Sequence, residues 1–158
     1  MTVAEDRQEL NAAAYALIVH LCARGDQLAR EGVFDEAVDE YNKALALVPE
    51  PKEHWNATTW ILIAIGDACF RAGDDEAALE ALEDAVICPG GLGNPFLHLR
   101  YGQVLLNLGH DDHAADELMR AYMGGGEEIY ASEGPRYRTF LKTRAILPDL
   151  EGDRAESD

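Results

Sequence analysis

Basic residues are scarce in this chain. Only 13 Lys and Arg stand against 30 Asp and Glu in 158 residues, a formal net charge of −17. An acid surplus of that size repels nucleic-acid phosphates and anionic lipid, and attracts basic proteins over about a Debye length. It argues against a nucleic-acid or membrane-surface role, while solubility alone is a sufficient reason for it. Cysteine is sparse too. Cys22, Cys69 and Cys88 are an odd set without the paired spacing of a zinc or redox motif. They predict reduced, largely buried thiols in a cytoplasmic protein. Long apolar runs are missing, because His20 and Asp67 interrupt the longest ones well short of a membrane span. Met1 to Asp6 has neither a basic segment nor an apolar stretch before a cleavage site, so no secretory leader is expected. With 47% hydrophobic and 27% charged residues, the chain reads as one soluble globular domain.

What is present is a repeat. Gly25-Asp26, Arg30 and Gly32 return 41 residues later as Gly66-Asp67, Arg71 and Gly73. A weaker third copy keeps the glycines, Gly102 and Gly109. Ala37, Ala78 and Ala114 each follow the second glycine by five residues, and Ala44, Ala85 and Ala121 stand seven further on. Self-similarity at this period signals stacked supersecondary units, here pairs of helices.

Thr2 and Glu5 form a candidate capping box. No glycine or proline occurs before Gly25, which predicts helix from Val3 to Glu31, as one piece or two in tandem. Asp35 is expected to cap a second helix ending near Leu47, stopped by Pro49 and Pro51. A third should run from Pro51 or Lys52 to Ala72 and a fourth from Asp75 to Ile87. Cys88 to Asn94 reads as an irregular loop. Helices then follow over Pro95–Leu108 and Asp111–Met123, the latter ended by Gly124-Gly125-Gly126, and a cap over Pro135–Ile146 has the spacing to cover the last apolar face. Residues 148–158 read as an acidic, disordered tail.

These residues resemble the tetratricopeptide repeat (TPR) family, in particular small bacterial TPR proteins. The family places Gly at repeat position 8, Ala at 20, an aromatic at 24, Ala at 27 and Pro at 32. Repeat one, 18–51, supplies Gly25, Ala37, Tyr41, Ala44 and Pro49; repeats two and three span 59–90 and 95–126. The resemblance implies an all-α, right-handed helical-repeat solenoid of three TPR helix pairs with a C-terminal capping helix, a single domain over residues 1–147. The first interval exceeds the family's 34 residues by seven, which is two helical turns. Extended A helices are therefore expected, with Lys52 to Thr58 added to the second. The repeated Asp26–Arg30 and Asp67–Arg71 spacing suggests i,i+4 ion pairs.

In this family ligands lie on the concave groove of the A helices, at repeat positions 2, 5, 9, 12 and 13. Carried over, these are Val19, Cys22, Asp26, Ala29 and Arg30; then Trp60, Ile63, Asp67, Phe70 and Arg71; then Phe96, Leu99, Gln103, Leu106 and Asn107. Trp60, Ile63, Asp67, Arg71, Phe96, Leu99 and Gln103 are the candidate partner contacts, with Trp60 the strongest as an aromatic anchor. Family members that grip a C-terminal carboxylate use Lys and Asn at positions 5 and 9. Asp26 and Asp67 stand at position 9 here and would repel that ligand. His110-Asp111-Asp112-His113 falls at a turn with no third metal ligand fixed by spacing. Gly90-Gly91-Leu92-Gly93 lacks the strand and the Lys-Ser/Thr of a phosphate loop. No catalytic, cofactor or metal site is read.

The function implied is a non-enzymatic interaction module that holds a protein or peptide in its groove. The alternative is an immunity-type inhibitor that neutralises a basic bacterial toxin, such as a nuclease, through the acidic outer surface formed by the B helices.

Overall fold

The computed structural model describes residues 10–145, which fold into seven α-helices and two 3-10 turns with no strand among the described residues. The helices are α1 (Ala12–Arg30), α2 (Phe34–Ala46), α3 (Asn56–Ala72), α4 (Asp75–Val86), α5 (Pro95–Asn107), α6 (Asp111–Gly125) and α7 (Pro135–Arg144). The chain packs as two compact units that meet in sequence between Gly93 and Asn94. The first holds the pairs α1/α2 and α3/α4; the second holds α5/α6 and α7.

Each pair is built on the same contact. A β-carbon added at Gly25 would lie 2.5 Å from the Tyr41 ring, one at Gly66 2.5 Å from Leu82 Cδ2, and one at Gly102 2.6 Å from Leu118 Cγ. Repeat positions 8 and 24 therefore meet three times over. Ala37, Ala78 and Ala114, with Ala44, Ala85 and Ala121, are all fully buried. Small residues at these places let two helix axes come close enough for larger neighbours to interlock.

The second glycine of each copy ends the A helix. Gly73 N–H donates to Phe70 O and Asp74 N–H to Cys69 O; Gly32/Val33 and Gly109/His110 repeat the pattern. This double-bonded turn needs its glycine left-handed, and φ is +78° at Gly32, +83° at Gly73 and +84° at Gly109. No atom crowds the position at Gly73. Gly73→Ala should therefore cost only the left-handed backbone penalty, about 1–2 kcal/mol, read as a lowered urea midpoint with unchanged far-ultraviolet circular dichroism.

Several sequence expectations need correction. Asn11 caps α1 by accepting from Ala13 N–H, which excludes the one-piece helix from Val3; the first member of a tandem pair and the Thr2–Glu5 capping box lie outside the described residues. Asp35 does not cap α2. Val33 occupies that place and Asp35 and Glu36 sit in the first turn, where their charges oppose the positive end of the helix dipole. The added helix at Lys52–Thr58 is mostly absent: Lys52–His54 is a separate 3-10 turn, Trp55 is extended, and α3 starts at Asn56. Lys52 explains the arrangement, because its ammonium donates to Leu45 O and Val48 O at the end of α2. A cation there satisfies carbonyls that the helix leaves open. The loop after α4 is drawn in by Thr59 Oγ1, which donates to Pro89 O. At the end of α6 the helix continues through Gly124 and Gly125 before Gly126 stops it at φ +68°. The cap α7 ends at Arg144 instead of Ile146, and the acidic tail 148–158 lies outside the described residues.

Candidate partner-binding site

In the first unit, α1 and α3 are the A helices. Trp60, Ile63, Asp67 and Phe70 are half-buried on α3, and Arg71 is exposed. A half-buried tryptophan combines fixed orientation with accessible ring surface, which is what a binding anchor requires. On α1, Val19, Asp26 and Arg30 are exposed, whereas Cys22 and Ala29 are buried.

The expected charge ladder exists only once. Arg71 Nη1 lies 3.7 Å from Asp67 Oδ2. It also donates from Nη2 to Ala29 O at 3.2 Å and stands 4.9 Å over the Phe34 ring. Arg71 thus ties the second pair to the end of α1 and start of α2. In the first copy, Asp26 instead accepts from Tyr41 OH at 2.6 Å, and Arg30 donates to Gln27 Oε1. Position 24 explains the difference: Tyr41 supplies a hydroxyl where Leu82 offers none. Burial, then that bond to Asp26, pushes the Tyr41 phenol well up. Burial and the Asp26 charge raise Cys22 to about 12, and burial raises Cys69 and Cys88. These thiols are protonated at neutral pH and poor nucleophiles.

The second unit is arranged differently. Phe96 is exposed beneath the Arg100 guanidinium, but Leu99 is 1% and Gln103 0% exposed. Gln103 Nε2 donates to Glu133 Oε2 at 2.9 Å, while Arg100 Nη1 donates to Glu133 Oε1 at 2.8 Å and to Gln103 Oε1 at 2.7 Å. Leu99 packs with Leu118, Ala121, Tyr130 and Leu141. Asn107 accepts from Tyr137 OH and from Arg136. The chain's own segment from Glu127 to α7 therefore occupies Leu99, Gln103 and Asn107 among the ligand positions of α5 and leaves Phe96 exposed. Leu99 and Gln103, expected on an open groove, are withdrawn from the partner surface. The sequence did carry a signal for this: Arg100 and Gln103 are polar residues in an otherwise apolar run, which calls for a buried polar partner.

A second buried network in this unit went unread. His98 Nδ1 lies 2.5 Å from Glu117 Oε2, and His113 Nε2 lies 3.5 Å from Glu117 Oε1. His113 also meets the edge of Tyr101. Among the described residues no group of three or more His, Cys, Asp or Glu is placed to hold a metal, and none of the helices is long and apolar enough to cross a membrane. The acids of the B helices are exposed as expected at Asp35, Glu36, Asp39, Glu76, Glu80, Glu83 and Asp84, but Glu40 and Glu117 are buried. Glu40 Oε1 accepts from Lys43, and that hydrogen bond holds its carboxyl below the usual range.

Helix pairs crossed at glycine, capped by left-handed glycine and joined by short turns define a helical-hairpin repeat protein. Residues 15–86 match the tetratricopeptide repeat family model. Over those residues the chain is similar to TPR proteins. No curated protein matches its sequence significantly. Solved structures share the fold: the first TPR domain of Spaghetti (RPAP3), bound to the HSP90 peptide SRMEEVD, is 18% identical with a TM-score of 0.66 over 83% of this chain and 95% of that one. The Yersinia enterocolitica type III secretion chaperone SycD, in complex with a peptide of the translocator YopD, is 13% identical with a TM-score of 0.61 over 78% and 88%. The C-terminal TPR-containing domain of a Plasmodium falciparum FK506-binding protein is 12% identical with a TM-score of 0.65 over 94% and 99%.

Proposed function

We propose that this chain is a non-enzymatic protein-interaction module that receives a peptide or partner segment on the A-helix face of its first unit. Trp60 is the anchor, Ile63 its apolar neighbour, and Asp67 and Arg71 flank them with charge. The observation that carries the reading is the contrast between the units. Trp60, Ile63 and Asp67 all keep accessible surface on α3, whereas on α5 only Phe96 of the equivalent three does, Leu99 being buried and Gln103 held by Glu133. The peptides held by the SycD and Spaghetti domains support an interaction role for this fold. The partner segment differs in charge from the acidic HSP90 peptide, because Asp26 and Asp67 repel carboxylates. We assign the module to the cytoplasm, consistent with three buried, reduced thiols.

The test is the affinity of a partner isolated with the wild-type chain. Trp60→Ala should weaken it about 10- to 100-fold by isothermal titration, with unchanged circular dichroism. Equal affinity for the variant would move the site elsewhere. A second reading, a toxin inhibitor, draws on the exposed acids of α2 and α4. It requires that affinity collapse as salt rises while Trp60→Ala leaves it intact.

A further inference from the structure

We propose that the first unit carries a second binding site, unconnected with Trp60: a cleft that takes a small apolar amine bearing a hydroxyl group. The cleft encloses ≈ 360 Å³ where the end of α2, the Lys52–His54 turn, the start of α3 and the end of α4 come together. That volume lies in the range used by small-molecule sites.

Its walls are the side chains of Leu45, Leu62 and Ile87. Ile87 is 76% exposed, which leaves apolar surface at the rim for a guest to cover. The polar element is Thr58, which also lines the cleft. Thr58 is 3% exposed, and its hydroxyl oxygen has no hydrogen-bond partner. Nearly all buried hydroxyls are satisfied, so an orphaned one on a residue that lines a cleft is where a guest group would complete the structure. The oxygen is also closed to water, so a guest must push the wall aside to reach it. Ile87, exposed at the rim, is the part of that wall that can turn aside, since Lys52 is tethered by its ammonium.

The charge of the guest follows from the rim. The Lys52 ammonium is committed to the carbonyls of Leu45 and Val48. Glu53 and Asp84 are exposed carboxylates with no ion pair among the described residues. Both are felt inside: after burial, the charges of Asp84 and Glu53 raise the Cys88 thiol. A negative potential favours an ammonium at the mouth and repels an acid. Cys88, which donates to Asp84 O at 3.3 Å, stays protonated, so binding is non-covalent. An apolar body fits between the leucines, a hydroxyl completes Thr58, and an ammonium meets the rim.

Three probes separate these requirements on the full ¹⁵N-labelled chain. Tyramine has all three features, phenethylamine lacks the hydroxyl, and 3-(4-hydroxyphenyl)propionic acid reverses the charge. Tyramine should give saturable amide shifts at Leu45, Thr58, Leu62 and Cys88 with a Kd of about 1 mM or below. Phenethylamine should bind roughly fivefold more weakly and the acid not at all. Thr58→Val, which keeps the shape and removes the orphaned hydroxyl, should abolish the preference for tyramine over phenethylamine. Ile87→Arg, at an exposed position, should abolish tyramine binding without changing circular dichroism. The proposal is overturned if tyramine gives no saturable shifts, if acid and amine bind alike, or if Thr58→Val keeps the preference. These outcomes are independent of whether Trp60 anchors a protein partner.

Discussion

Glu133→Ala should destabilise the second unit by about 3–5 kcal/mol, among the largest single-residue effects in this chain. The carboxylate serves two buried donors at once, Arg100 Nη1 and Gln103 Nε2, and its side chain is only 12% exposed against 10% for Arg100. Removing it leaves an arginine charge and an amide with reduced pairing in a site that water reaches poorly, and breaking a buried pair from one side carries that magnitude. With a urea slope near 2 kcal/mol/M, the midpoint should fall by roughly 2 M. Glu133→Gln keeps an acceptor but removes the charge, and should cost about half as much. Replacing all three residues together, as Arg100→Met, Gln103→Leu and Glu133→Leu, should recover most of the loss, because an apolar cluster of similar volume needs no partner. A Glu133→Ala variant within 0.5 kcal/mol of wild type would mean that the carboxylate merely rests on the surface of α5.

The pairing of helices was legible in the sequence because the repeat fixes contacts as well as elements. Gly25, Gly66 and Gly102 recur with Tyr41, Leu82 and Leu118 at constant spacing, and each glycine meets its partner. The second glycines are equally informative, since a left-handed helix end admits few other residues. The turn between α2 and α3 was not legible. Seven extra residues match two helical turns in length, yet length cannot distinguish added helix from a folded-back link. The deciding contact, Lys52 with the carbonyls of Leu45 and Val48, joins a side chain to backbone and leaves no periodic trace. The same holds for Asn11, an N-cap inside a run of good helix formers.

The accessibility of the candidate positions was legible on α3 and only in part on α5. Family positions on α3 lead to Trp60 and Ile63, which do keep accessible surface. The equivalent positions on α5 lead to Phe96, which is exposed, and to Leu99, which is buried, as is Gln103 at the position of Asp67. Transferring positions from repeat to repeat assumes that each A helix has an equivalent neighbour. The last repeat is followed by a 3-10 turn, Glu127–Tyr130, and the short helix α7, so its surroundings differ. Tyr130 fixes that segment by donating from its hydroxyl to Leu118 O at 2.6 Å, a contact invisible without the fold. Asp26 misled for a related reason: its i,i+4 partner Arg30 loses to Tyr41, which packs across the helix crossing and is already buried there. A local surface pair is worth a few tenths of a kcal/mol, less than a short, partly buried hydrogen bond to a charged group.

Leu82→Ala should cost about 3–4 kcal/mol alone, yet clearly less when combined with Gly66→Ala. Leu82 is fully buried, and truncating it removes apolar contacts and opens a cavity against α3. Gly66→Ala alone should cost about 1–3 kcal/mol, since the new methyl would sit 2.5 Å from Leu82 Cδ2 and 2.6 Å from Cγ and must force the helices apart or twist the leucine off its rotamer. With the leucine gone the clash has no opponent, and the methyl fills part of the cavity it left. The double variant should therefore be more stable than the sum of the singles predicts by about 1–2 kcal/mol, within the coupling range of residues in direct contact. Tryptophan fluorescence in urea reads this cleanly, because Trp55 and Trp60, both in the first unit, are the two tryptophans of the chain. The Gly102–Leu118 pair offers the contrast. There a β-carbon would also meet the backbone nitrogen of Leu118 at 3.0 Å, which no side-chain truncation can move, so Gly102→Ala with Leu118→Ala should show weaker rescue. Strict additivity at Gly66 and Leu82 would mean that the helix separation in this pair is not set by the glycine.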